Sequence, residues 1–192
     1  MGTSSLHQYF RCGGYKSLHY HCRWKEACAD CMKNSIHAGL PPLSKCSKAD
    51  AYNQIDRGPE NLIQVDHLNE IVHGISNATF ILTFRNLTNW FNSLTNFNNL
   101  RQRFQTANIT GFPSGVGSNE SEFSDFYCAY VKRVREVVAK SGHALIEIDM
   151  EDPLVGWQME DAFGVNHTCW GHYNARTTNE TEGAFVNKKL PG

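Results

Sequence analysis

Arg85 and Ser93 are the residues best placed by type and spacing to do chemistry. Arg85 directly follows the apolar run Phe80-Ile81-Leu82-Thr83-Phe84, and Ser93 stands eight residues later. A guanidinium leaving a buried strand, faced by a hydroxyl and the free amides of the next helix, makes a compact phosphate clamp. In an α/β protein that carboxyl edge of the strands is where ligands bind. A second group opens the chain, where Gly2, Thr3, Ser4 and Ser5 precede Leu6. The glycine lets backbone come close to an anion that amides and hydroxyls can hold. Each feature has a plainer use. Arginines end many surface strands, and a hydroxyl run serves as a helix cap. The pairing of the two, about 80 residues apart, is the more specific signal.

Proton transfer needs a base, and His19 and His21 are the first candidates. An imidazole titrates in the range suited to accepting a hydroxyl proton. Both fall on one face of an alternating stretch, residues 15–22, with Leu18, Tyr20 and Cys22 on the other. The same two rings would also serve as solvated strand histidines, or as metal ligands beside Cys22. His67 is a reserve candidate at a helix start, His7 lies beside the opening loop, and Asp149 follows a second strand without an assigned role.

The elements that must position these groups follow from periodicity. Residues 4–12 read as a helix stopped by Gly13 and Gly14. A short helix over 24–34, a helix over 67–75, a buried strand over 80–84 and a helix over 88–104 follow. Residues 108–119 form a Gly/Ser/Pro-rich surface loop. The clearest helix covers 122–141, with Phe123, Phe126, Tyr127, Tyr130, Val134, Val137 and Val138 as its apolar stripe and Gly142 as its stop. A strand over 144–148, a helix over 153–163 and a polar tail after Trp170 complete the chain. Helices alternating with short buried strands imply a three-layer α/β sandwich around a central parallel sheet. One domain spans residues 1–192, with a Cys-rich insertion from 22 to about 50.

The opening Gly-Thr-Ser-Ser-Leu, with Arg85 and Ser93, resembles sulfotransferases that use 3'-phosphoadenosine 5'-phosphosulfate (PAPS). The order of the Cys-rich segment, Gln64-Val65-Asp66, Asn77-Ala78-Thr79-Phe80, Ile146-Glu147-Ile148-Asp149 and Cys169-Trp170-Gly171-His172 is similar to algal-type members. The resemblance implies a P-loop NTPase-like fold and transfer of a sulfuryl group to a hydroxyl acceptor such as a carbohydrate. It also implies that Gly2, Thr3, Ser4 and Ser5 hold the 5'-phosphosulfate while Arg85 and Ser93 hold the 3'-phosphate. Two features depart from the family. The family places a strand before the loop and a lysine within it, and both are missing ahead of Gly2. Without that strand, unpaired strand edges are expected in the core. The late Arg-Lys-Gly loop of cytosolic members has no counterpart either. The chain is therefore expected to be an N-terminally truncated member, or a degenerate nucleotide-binding relative without activity. A P-loop kinase is excluded, because Gly-x4-Gly-Lys-Ser/Thr occurs nowhere in the sequence.

Composition sets the outer limits. Across 192 residues, 41% are hydrophobic and 19% charged, with a formal net charge of −1. That balance gives no reason to expect a nucleic-acid groove or a membrane surface, and no apolar run approaches a membrane span. Seven cysteines leave three readings open: disulfides, free thiols, or zinc held by Cys22, Cys28, Cys31 and Cys46 with His37. The odd number leaves at least one cysteine over. Six Asn-x-Ser/Thr sites, at Asn77, Asn86, Asn108, Asn119, Asn166 and Asn179, lean toward a secretory route and the Golgi lumen. The cytoplasm is the alternative. A glycan on Asn86 would block the clamp, so that site is expected to be unused.

Overall fold

Apolar residues at helical spacing and glycine stops account for the longest elements. The computed structural model describes residues 2–112, 117 and 119–173. Helix α1 spans Thr3–Cys12 and buries Leu6, Tyr9 and Phe10. Its carboxyl end passes into Gly13, whose amide donates to the Tyr9 carbonyl. Strands β1 (Ser17–His19), β2 (His21–Arg23) and β3 (Glu26–Ala27) follow, then helix α2 (Cys28–His37) and strand β4 (Ala51–Asn53). Helices α3 (Ile63–Asp66) and α4 (Leu68–Gly74) lead into β5 (Thr79–Phe84). Next come α5 (Leu87–Thr95), α6 (Leu100–Thr106), α7 (Glu120–Ser141), β6 (Ala144–Asp149) and α8 (Val155–Phe163), ending in a 3-10 turn at His167–Cys169.

Helices cover both faces of the β5–β6 pair, and the alternation of its side chains shows this directly. Ile81, Ile146 and Ile148 pack with Leu6, Tyr9 and Phe10 of α1 and Val155 and Met159 of α8. Phe80, Leu82 and Leu145 pack the other way, on Leu68 and Val72 of α4 and Val134 and Val138 of α7. A third apolar group, around Trp90, Phe104, Phe112 and Phe123, joins α5 and α6 to α7. Phe123 is fully buried, and burial of one such ring contributes about 1.5–3 kcal/mol.

The strands form two small sheets and not the single parallel sheet expected. One has the order β3-β2-β1-β4 and the other is the pair β5-β6. β1 runs parallel to β4 but antiparallel to β2, and β5 runs parallel to β6 in register from Thr79↔Ala144 to Phe84↔Asp149. Among the described residues, β4 is an end strand of its sheet and β5 pairs with β6 alone. Between β4 and β5 lies an apolar cavity of about 820 Å³.

Three further expectations are corrected. The strand over 15–22 breaks at Tyr20, whose φ is 62°. Its amide donates to the Asn53 carbonyl and its own carbonyl accepts from Cys28, so the chain turns back as β2. The short helix expected over 24–34 lies at Cys28–His37, because Trp24, at φ 49° and 92% exposed, stands outside it just after β2. The helix over 88–104 is two helices. They are separated at Asn96-Phe97-Asn98-Asn99, where Asn98 takes φ 49° and Phe97 is exposed; asparagines are weak helix formers, and little apolar burial holds that turn helical.

Six cysteines are paired: Cys12–Cys169, Cys22–Cys28 and Cys31–Cys46. The cysteine left over is Cys128, exposed on α7. The four cysteines weighed as zinc ligands are therefore bonded to one another, and disulfide sulfur is not the thiolate that zinc requires. Three disulfides indicate an oxidising, secretory-type environment. Among the described residues, no helix is long and apolar enough to cross a membrane. Asn86, Asn119 and Asn166 cap α5, α7 and the 3-10 turn, their side chains accepting from Asn89, Glu122 and Thr168 amides. Asn179 and most of the polar tail lie outside the described residues, as do 113–116 and 118 of the Gly-rich loop.

Candidate functional site

The carboxyl ends of the parallel strands converge on the start of α1. Gly2 precedes that helix at φ 73°, and a side chain there would run into the thioether of Met150, the residue after β6. The left-handed φ and this close approach both demand glycine. One residue on, Thr3 Oγ1 lies 3.3 Å from Nε2 of His19, the last residue of β1. The first turn of α1 therefore bridges the ends of both sheets. Gly2 at its cap position offers no side-chain acceptor, and the first amides of a helix have no intrahelical acceptor.

The four opening residues divide between surface and core. Thr3 and Ser4 are half-buried at the helix start. Ser5 is buried, and its hydroxyl accepts from the Tyr173 amide 3.2 Å away.

His19 is half-buried and has further polar company. Its ring centroid is 5.3 Å from that of His7. Nδ1 of His7 lies 2.9 Å from the hydroxyl of Ser17, and that oxygen accepts from Asn53 Nδ2 at 2.8 Å. Asn53 ends β4 and is buried. Burial pushes the His19 pKa below its ordinary value, and the positive amino terminus adds to the fall while Asp56 opposes it. His7 is lowered too, by burial and then by the charges of His19 and Arg11. Both rings are therefore neutral near pH 7, and a neutral imidazole can accept a proton. His21 is exposed on β2, in register with His19 and edge-on to Tyr20. His67 is at the α3–α4 junction, 3.2 Å from Glu70, away from the strand ends.

Arg85 follows β5 at the same edge, 35% exposed. Its Nε donates to Glu151 at 2.8 Å, and the same carboxylate accepts from the Asn86 amide and from Asn89 Nδ2. Burial raises the Glu151 pKa, but the Arg85 contact and these hydrogen bonds outweigh it and hold the group below its ordinary value. The Arg85 guanidinium is therefore already partly neutralised. Ser93 is half-buried on α5, seven residues into that helix and roughly 9 Å along its axis from Leu87. Trp90 between them is core, its ring 5.1 Å from Tyr127 and 5.7 Å from Phe123. Asp149 accepts the Glu151 amide at 2.9 Å and so shapes the turn that presents Glu151.

Glu151 and the Ser17–His7 contact were not singled out from the sequence. A signal for Glu151 existed: in adjacent parallel strands, groups just past each carboxyl end become neighbours. Comparison of the chain with models of protein families, with curated proteins and with solved structures found no match.

Proposed function

We propose that the chain is a PAPS-dependent sulfotransferase-type protein, with its nucleotide site along the carboxyl edge formed by Gly2, Thr3, His19 and Arg85. The observation that supports this reading is the meeting of α1's first turn with the ends of both sheets. Residues far apart in the chain come to one edge, and they are the types a bisphosphorylated nucleotide requires.

In this reading the first-turn amides of α1, with Thr3 and Ser4, hold the 5'-phosphosulfate. Arg85 and Ser93 hold the 3'-phosphate, which must draw the guanidinium away from Glu151. The transfer is an in-line displacement with the demands of phosphoryl transfer. The acceptor hydroxyl oxygen bonds to sulfur, the bond from sulfur to the 5'-phosphate oxygen breaks, and adenosine 3',5'-bisphosphate leaves. His19 takes the hydroxyl proton, because burial beside His7 keeps it neutral. His21 is exposed and serves less well. The acceptor class is a hydroxyl compound such as a carbohydrate, and the Golgi lumen is the compartment that fits the disulfides.

A second reading has its own observation. Glu151 competes for Arg85, the cation that would hold the 3'-phosphate. A nucleotide-binding protein without transferase activity accommodates that pairing. Calorimetric titration with adenosine 3',5'-bisphosphate separates the outcomes. The expected result is binding that weakens roughly tenfold or more in Arg85→Ala. Binding without sulfate transfer from PAPS to a sugar panel selects the second reading. Absence of binding overturns both.

A further inference from the structure

The β2–β3 hairpin closes in a turn that backbone stability alone would not select. Arg23 pairs with Glu26, which leaves Trp24 and Lys25 as a two-residue loop. Loops of that length favour glycine or asparagine where φ is positive, yet Trp24 takes φ 49°. A bulky side chain there stores backbone strain, which persists only where the surrounding structure holds it. The surroundings are firm. Cys22 is bonded to Cys28 across the base of the hairpin, and the Cys28 amide donates to the Tyr20 carbonyl at 2.7 Å. The hairpin therefore presents Trp24 rigidly, and that residue is 92% exposed.

Positive charge gathers around it. Residues 21–48 hold five Lys or Arg against two carboxylates, a formal +3 in a chain of net −1. Both carboxylates are engaged: Glu26 accepts from Asn34 Nδ2, and Asp30 accepts from Arg57 and Asn61. Arg23 and Lys25 flank Trp24 and are exposed. The Ser47 amide donates to the Cys22 carbonyl at 2.7 Å, and Cys46 is bonded to Cys31. The segment bearing the exposed Lys45 and Lys48 is thereby fixed beside β2. An indole among cations fits a polymer that combines ring faces with regular negative charge. Anionic lipid would meet the charge, but it belongs to the cytoplasmic leaflet, and three disulfides indicate the opposite side of the membrane.

We propose that the β2–β3 hairpin and residues 45–48 form a binding surface for an anionic polysaccharide. Trp24 stacks on the C–H face of a sugar ring, whose hydrogens meet the negative face of the indole. Arg23 and Lys25 pair with carboxylate or sulfate groups on either side, and Lys45 and Lys48 extend the positive field. β2 runs antiparallel to β1 from the His19–His21 pairing, so the hairpin tip leads away from His19 and the candidate nucleotide edge. The proposal does not depend on the nucleotide reading.

Calorimetric titration of the oxidised chain with dextran sulfate, beside neutral dextran of equal length, tests the surface. Dextran sulfate should bind at least about tenfold more tightly than dextran, and the difference should shrink as salt rises. Trp24→Gly suits the positive φ, so it should keep the parent's melting temperature while binding at least about fivefold more weakly. Arg23→Gln with Lys25→Gln should lose about as much and show a shallower salt dependence; this variant carries the test should Trp24→Gly not fold. Lys132→Gln with Lys140→Gln, on α7, should bind as the parent does. Equal affinity for the parent and the hairpin variants would overturn the proposal, as would equal loss in the α7 variant or no binding by the parent. Phosphatidylserine vesicles bound more tightly than dextran sulfate, through the same residues, would overturn it in favour of lipid. Excess adenosine 3',5'-bisphosphate should leave the polysaccharide bound, and displacement would show that the surface is not separate from the nucleotide edge.

Discussion

The half of the molecule from β1 to β4 and the half from α5 to α7 solve the same problem by different means. In the first, strands are two or three residues long and the local core is Cys22, Cys28, Ala29, Cys31, Met32, Ile63 and Ile71. Small side chains bury little area, and two disulfides close the chain on itself. In the second, no disulfide is present among the described residues, and Trp90, Phe104, Phe112 and Phe123 pack edge-on or tilted at centroid distances of 5.3–6.5 Å. Aromatic burial is a large favourable quantity per residue. The difference teaches that covalent closure stands in where short strands cannot gather enough apolar surface. The candidate site draws His19 and Asn53 from the first of these halves, while Arg85 stands between β5 and the start of the second.

Truncation of the aromatic centre should show the largest effect. Phe123→Ala should cost about 3–5 kcal/mol in chemical denaturation, and a loss below about 1 kcal/mol would break the contrast. Replacing Cys31 and Cys46 together by alanine should cost about 3 kcal/mol, from a closed loop of 15 residues. Hydrogen exchange on the reduced protein sharpens the point, since protection should vanish over residues 16–53 while α7 keeps its own. Loss of Cys22–Cys28, with a separation of only six, should cost less, about 2 kcal/mol.

A smaller, pH-dependent effect distinguishes the edge itself. His7 and His19 have pKa values lowered by folding from the ordinary 6.5. Below 6.5 the unfolded chain therefore binds more protons than the folded one, and stability falls as the pH drops from 6.5 through the lowered folded values. His19→Gln should flatten that slope in denaturation curves recorded at several pH values. The smallest effect belongs to Glu60→Gln. Glu60 accepts from Arg103 Nε at 2.6 Å, but both side chains are more than a third exposed. The loss should stay under about 1 kcal/mol and disappear in high salt. Because the Glu60 pKa is lowered, chiefly by the Arg103 contact, its contribution is present above pH 4.5 and fades as the pH falls through the folded value.

Much of the architecture could be read locally. The stripe from Phe123 to Val138 determined α7, Gly13 and Gly142 determined where two helices stop, and the apolar runs before Arg85 and Asp149 determined β5 and β6. Each of these depends on the order of residue types within a few positions, a period of 3.6 or 2 or a glycine stop, which the local sequence encodes. The seven cysteines admitted disulfides beside free thiols and zinc, with at least one cysteine over, and left open which sulfur meets which. Tertiary structure decided the rest. Tyr20 reverses the chain because Asn53, distant in sequence, accepts its amide. Arg85 acquires Glu151 because two parallel strands happen to end side by side. Cys12 finds Cys169 across 157 residues, and the cleft between β4 and β5 exists only once both sheets are in place. Contacts of that range depend on how whole elements pack, and no local pattern of residue types carries that information.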